Sequence, residues 1–141
     1  MKNRLPLFAL LLISGVGNLT GCKKTAAGAE DGLVGTWRLT NRQCYCPPNL
    51  PVPNETVTFT ATTYSFYRNG VLATAGDYRS ATATPCGSTS PVPGLQLAPT
   101  YPSSPAVRLG TTRAAVTRTG NTLVLDYGSP CDAPRDTYER Q

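Results

Sequence analysis

The chain contains no histidine, which removes the usual general base at neutral pH and the commonest metal-binding side chain. Ser-His and Cys-His nucleophilic arrangements are excluded with it. From residue 33 onward lysine is absent as well, and the nine basic residues are arginines scattered singly. A phosphate-binding surface needs clustered cations, so nucleic acid is not expected as a partner. No apolar run reaches the roughly 20 residues that span a bilayer as a helix; the longest, LPLFALLLISGVG, covers residues 5–17. Apolar residues at helical spacing are missing from the remainder, which leaves strands as the regular structure available to it.

What is present begins with that apolar run. Lys2 and Arg4 precede it, and the order is that of a secretory signal. At its end stand Leu19, Thr20, Gly21 and Cys22. This quartet resembles the lipobox of bacterial lipoproteins. The resemblance implies a signal peptide over 1–21, cleavage before Cys22, and acylation of the Cys22 thiol and of the new amine. A thiol is required because its thiolate is the nucleophile, and several acyl chains at about 0.8 kcal/mol per buried methylene hold the protein permanently on a membrane. The implied location is the bacterial cell envelope, lipid-anchored, with the outer membrane expected and either its periplasmic or its surface face open. The segment KKTAAGAEDG has no apolar periodicity, so 22–32 is expected to be the lipidated Cys and a flexible tether. Lys23 and Lys24 are placed either to touch anionic headgroups or simply to begin that tether.

Residues 33–141 are expected to form one domain. LVGTWRLTNR places Leu33, Gly35, Trp37 and Leu39 on one face, and ETVTFTA places Val57, Phe59 and Ala61 likewise. TYSFYRNGVLAT carries Asn69-Gly70 at its middle, suited to the positive backbone angles of a tight hairpin. TRTGNTLVLDYG repeats the signal around Gly120-Asn121. With GDYRS, PAVRLG and DTYERQ the count is seven to nine strands, close in sequence, so an all-β antiparallel meander is expected. CYCPPNLPVPNE and PCGSTSPVPGLQLAPTYPSSP are rich in proline, which lacks the donor a sheet ladder needs. Both are expected to be loops, serving as binding loops or as excursions held down by disulfides, with GLQLA at most a short edge strand.

LVGTWRLT is similar to the Gly-x-Trp signature on the first strand of lipocalins. With VTFTATTYSFYRNGVLATAGDYRS, NTLVLDY and a final Tyr-x-Arg, the order of elements resembles the small lipocalin-like lipoproteins of bacterial envelopes. The resemblance implies a small up-and-down β-barrel, disulfide-stapled here, able to hold a small hydrophobic ligand and closed by Arg140 packed over Trp37. The interior, and any ligand-facing surface, is expected to run through Trp37, Leu39, Val57, Phe59, Leu123, Leu125 and Tyr127. Binding or carrying a small apolar molecule is the expected function; a non-catalytic structural or protein-interaction module with a filled barrel is the alternative. Protein partners are unspecified.

No catalytic residues, cofactor or metal are expected. Of the carboxylates from residue 33 onward, only Asp132, Asp136 and Glu139 lie near one another in sequence, and Arg135 and Arg140 beside them account for them as solvated ion pairs. Cys44, Cys46, Cys86 and Cys131 lack the paired two-residue gaps of a zinc ribbon, and in an oxidising envelope they are read as disulfides. A Cys44–Cys46 ring is expected to be too tight. If Arg140 covers Trp37, facing positions of the first and last strands sum to 177, which sets Cys46 opposite Cys131 and leaves Cys44 for Cys86. The other crossing, Cys44–Cys131 with Cys46–Cys86, stays open by distance. Replacing Cys22 with Ala is expected to abolish uptake of labelled palmitate and to leave the precursor uncleaved; equal labelling of the variant would contradict the lipobox reading.

Overall fold

The computed structural model describes residues 32–47, 50–101 and 110–141. The signal, Cys22 and the tether up to residue 31 lie outside these, as does the PAVRLG segment except Gly110. Eight strands follow in chain order: β1 (Gly35–Gln43), β2 (Glu55–Phe59), β3 (Thr63–Arg68), β4 (Val71–Ala83), β5 (Val92–Tyr101), β6 (Thr112–Thr119), β7 (Thr122–Asp126) and β8 (Arg135–Arg140). Each pairs with its neighbour in sequence, and β8 returns to β1, so the antiparallel meander closes as a barrel. Closure satisfies the ladder groups that an open edge would leave unpaired. The hairpin dipeptides act as their chemistry dictates. Asn69 and Gly70 both adopt positive φ (53° and 78°), and Gly120 (57°) opens the two-residue turn between β6 and β7.

Alternation along the strands sends one set of side chains inward. Trp37, Val57, Leu95, Ala114, Leu123, Leu125 and Tyr138 are fully buried, and Leu39, Phe59, Tyr64, Tyr78, Leu97 and Val116 are nearly so. Phe59 and Tyr78 meet edge to face at 5.2 Å. Tyr127 packs on this cluster only in part. Ala61 is exposed, because β2 ends at Phe59 and the chain turns between Thr60 and Thr63.

One end of the barrel is plugged. The Trp37 indole donates to Leu33 O at 2.7 Å, and the Arg140 guanidinium lies 4.6 Å over the indole ring and donates to Gly32 O. Such a cation–π contact contributes on the order of 0.5–2 kcal/mol. Gly35 sits at φ 140°, where a Cβ would meet Arg140 Nη1 at 3.2 Å. The glycine two residues before Trp37 thus leaves the arginine its place.

The second Pro-rich stretch corrects an expectation. GLQLA is no edge strand but the middle of β5, a ten-residue barrel strand. Pro93 and Pro99 fall outside Gly94–Leu97, the part of β5 paired on both sides. A missing donor is tolerated where only one neighbour is bonded. A Cβ at Gly94 would meet Ala114 O at 2.6 Å and Ala83 Cβ at 2.9 Å, so glycine lets the end of β4 cross close to β5 and β6.

The cysteine pairing also departs from expectation. The bonds are Cys44–Cys46 and Cys86–Cys131, not Cys46–Cys131 with Cys44–Cys86, nor the other crossing. Trp37 does face Arg140 and Leu39 faces Tyr138, but a bulge between Leu39 and Asn41 then shifts the register, so that Asn41 faces Thr137. β1 leaves the sheet after Gln43. The chain turns at once, and one intervening residue allows a Cα–Cα separation of 5.2 Å, inside the usual range for a disulfide. Cys131, in the 3₁₀ turn Ser129–Cys131, instead meets Cys86, with Cα atoms 5.9 Å apart. In the chain-entropy treatment that long-range bridge contributes about 4 kcal/mol and a three-residue ring under about 2 kcal/mol.

Candidate functional site

An up-and-down barrel puts the ends of its odd strands and the starts of its even strands at one mouth. Arg42 is the last residue but one of β1 and Asp136 the second of β8, and the two are Cα partners. Glu55 opens β2 opposite Arg68, the last residue of β3. Strict alternation from Trp37 and Leu39 would turn Asn41 inward and Arg42 out. The bulge after Leu39 reverses this, leaving Asn41 exposed and bringing Arg42 into the mouth. Re-aiming a side chain is what a bulge does in a barrel strand.

There Arg42 binds Asp136 through two parallel bonds, Nε to Oδ1 and Nη2 to Oδ2, both 2.7 Å. Its Nη2 also donates to Glu55 Oε1 at 3.0 Å. Arg68, itself largely exposed, donates to Glu55 Oε2 at 3.1 Å. The Tyr138 hydroxyl lies beneath, donating toward Glu55 Oε1 at 3.2 Å and Asp136 Oδ2 at 3.3 Å. Glu55 is 6% exposed and Asp136 2%. Asp136 is therefore no solvated tail residue: its alternation with Tyr138 on β8 carries it inside. Fork geometry of this kind is the strong form of ion pair, and each carboxylate oxygen has a donor.

The Arg42 proton is held more firmly than in a free guanidinium, chiefly by its bond to Asp136 and against the opposing effect of burial. Burial is the main cause that pushes the Tyr138 and Tyr127 hydroxyls well above the ordinary tyrosine range, with Asp136 and Glu55 adding to it; Tyr127 adds further to Tyr138. Burial likewise raises Tyr64, helped by Asp77.

Above this polar floor opens a cleft of about 700 Å³, lined by Arg42, Glu55, Arg68 and Asp136, by Phe66, Ala73, Thr74, Thr112, Tyr127 and Pro134, and by Asp132 and the Cys44–Cys46 bridge. A hollow of about 320 Å³ shares Phe66, Thr74, Thr112 and Tyr127 with it and reaches Tyr64, Leu97 and Pro99. Of the interior residues expected from the sequence, only Tyr127 reaches this cleft. Trp37, Leu39, Val57, Phe59, Leu123 and Leu125 are packed in the core below it. The end of the β4–β5 hairpin lies elsewhere, against Arg113 and Ala115 on the outer face of β6 and against Asp126 to Gly128, where Cys86–Cys131 binds it to the β7–β8 connection. Arg42, Glu55 and Asp136 were not legible as a group, since Glu55 and Asp136 are 81 positions apart and period-two reading sends Arg42 outward. No family model, no curated protein and no solved structure matches this chain.

The tyrosines make stability sensitive to alkali. Below pH 10 their hydroxyls are protonated in both folded and unfolded chains. Above it the unfolded chain releases protons that the buried hydroxyls keep, so stability falls with rising pH until the folded groups titrate. Urea unfolding between pH 9 and 11.5 should show little change up to about pH 10 and, above it, a decline approaching about 1.4 kcal/mol per pH unit for each such tyrosine, shallower by one tyrosine in Tyr138→Phe. A pH-independent midpoint would contradict this.

Proposed function

We propose that the chain is a lipid-anchored lipoprotein of the bacterial envelope, lipocalin-like, that binds a small molecule in the mouth of its barrel. The observation that carries the reading is the cleft: about 700 Å³, within the range of about 300–1,000 Å³ common for small-molecule sites. The plug of Trp37, Arg140 and Gly35 at the other end supports the likeness to lipocalins. Anchorage rests on the Leu19 to Cys22 quartet, with the outer membrane as the proposed location.

The packed core leaves the ligand the mouth. Its apolar body would lie on Phe66 and Tyr127, and a polar end would meet the largely exposed Arg68. This narrows a purely apolar ligand to an amphipathic one. Binding without turnover is proposed, because both buried carboxylates have every oxygen engaged by a guanidinium or by Tyr138, leaving neither as a free general acid or base. The second reading, an interaction module of the envelope, is favoured by the filled interior around Trp37, Phe59, Tyr64 and Tyr138.

Native mass spectrometry of the chain carrying Cys22→Ser, purified from a bacterial envelope fraction, separates the two. A co-purifying small molecule that is lost in Ala73→Arg, a change at an exposed cleft residue, is the expected result. A bare protein mass, together with no binding of fluorescent fatty acids, would leave the interaction module.

A further inference from the structure

Two disulfides of very different kinds hold this domain. Cys86–Cys131 joins two separate connections of the barrel, across 45 residues. Cys44–Cys46 spans a single residue. Both its cysteines belong to the same β1–β2 connection, so opening it releases no strand and breaks no ladder. A bridge that constrains three residues adds little to stability, yet it stands where the chain is open to solvent. Tyr45, between the two cysteines, is 92% exposed. Cys44 and Cys46 line the 700 Å³ cleft on one side and, with Pro47, Leu50 and Val52, a second cleft of about 300 Å³ on the other.

We propose that Cys44–Cys46 is an exchangeable redox pair that accepts two electrons from the dithiol of an extended polypeptide, a function separate from ligand binding in the mouth. The two sulfurs are not equivalent. Cys46 is exposed and Cys44 half-buried against the end of β1, so the incoming thiolate attacks Cys46 Sγ. The new bond joins the peptide sulfur to Cys46, and the Cys44–Cys46 bond breaks with Cys44 leaving as thiolate. The second peptide thiolate then attacks the peptide sulfur of the mixed disulfide and releases Cys46. The peptide is oxidised to its disulfide, the cysteine pair is reduced to two thiols, and the two peptide protons end on them through solvent. A second disulfide of the envelope reverses the sequence. The surrounding charges, Arg42 and Arg68 against Glu55, Asp132 and Asp136, nearly balance. Lability therefore comes from access to the bridge and from its small structural part, not from a field that favours thiolate.

The test uses the full chain with Cys22→Ser and, as probe, an unstructured peptide carrying two reduced cysteines. After timed incubation at pH 7.5, free thiols are alkylated and the protein is digested after arginine, which puts both Cys44 and Cys46 in the fragment from Gln43 to Arg68 and keeps them apart from Cys86 and Cys131. The expected result is alkylation of Cys44 and Cys46 at least tenfold faster than of Cys86 and Cys131, with one peptide disulfide formed per protein. In Cys44→Ser, the oxidised probe should be trapped on Cys46. Loss of both bridges at one rate, no oxidation of the probe, or an oxidised probe trapped tenfold faster on Cys44 of Cys46→Ser would overturn the proposal. So would unfolding of Cys44→Ser/Cys46→Ser, which should melt within a few degrees of the parent.

Discussion

Everything in this barrel depends on how β1 meets β8, the one pairing that joins distant parts of the chain. Seven of the eight strand contacts are between sequence neighbours and form from local turns. The eighth must find its register across the full length of the domain, and a slip of one residue would turn its core face outward. Two arginines mark that register from opposite ends. Arg140 of β8 covers Trp37 of β1, and Arg42 of β1 grips Asp136 of β8. Between them the bulge after Leu39 takes up one extra residue of β1. Without it, the two contacts could not be made by the same pair of strands.

The two ends meet opposite requirements with the same kind of residue. At the plugged end Arg140 keeps its charge near solvent and lends its flat face to an indole. At the mouth Arg42 faces inward, and its charge needs carboxylates to offset the loss of water. Burying such a cluster does not by itself stabilise a fold, since desolvation can cancel the attraction. Its part here is to specify: Arg42 reaches Glu55 of β2 as well as Asp136, and Glu55 reaches Arg68 of β3, so four adjacent strands are held in one arrangement. The same charges line the floor of the cleft.

How far this could be read from the chain follows the range of each interaction. Val57 and Phe59, or Leu123 and Leu125, announce an inward face by alternation alone, and Asn69-Gly70 announces a turn by backbone chemistry. Trp37 and Arg140 were legible through a resemblance to a known closure. Arg42 was not, because a bulge has no composition that marks it and inverts the parity of whatever follows. β5 was hidden by its prolines, whose exclusion from sheets applies to strand segments paired on both sides and not to the singly paired ends where Pro93 and Pro99 sit. The cysteine pairing failed for the same reason as Arg42: a constant register was carried past the point where β1 bulges and then leaves the sheet.

Arg42 is the residue whose replacement separates a pinned seam from an ordinary surface contact. Urea unfolding at pH 7 would compare the parent with Arg42→Met and with the triple replacement Arg42→Met/Glu55→Gln/Asp136→Asn. If Arg42 is the counter-charge that lets two buried carboxylates hold the β1–β8 seam, the single change leaves Asp136 without a counter-charge and Glu55 with only the largely exposed Arg68 and costs about 3–5 kcal/mol, while the triple, which removes the charges together, recovers most of the loss. A single variant within about 0.5 kcal/mol of the parent, as expected for an ordinary surface residue, would contradict the role of Arg42 as that counter-charge, and so would a triple variant as unstable as the single.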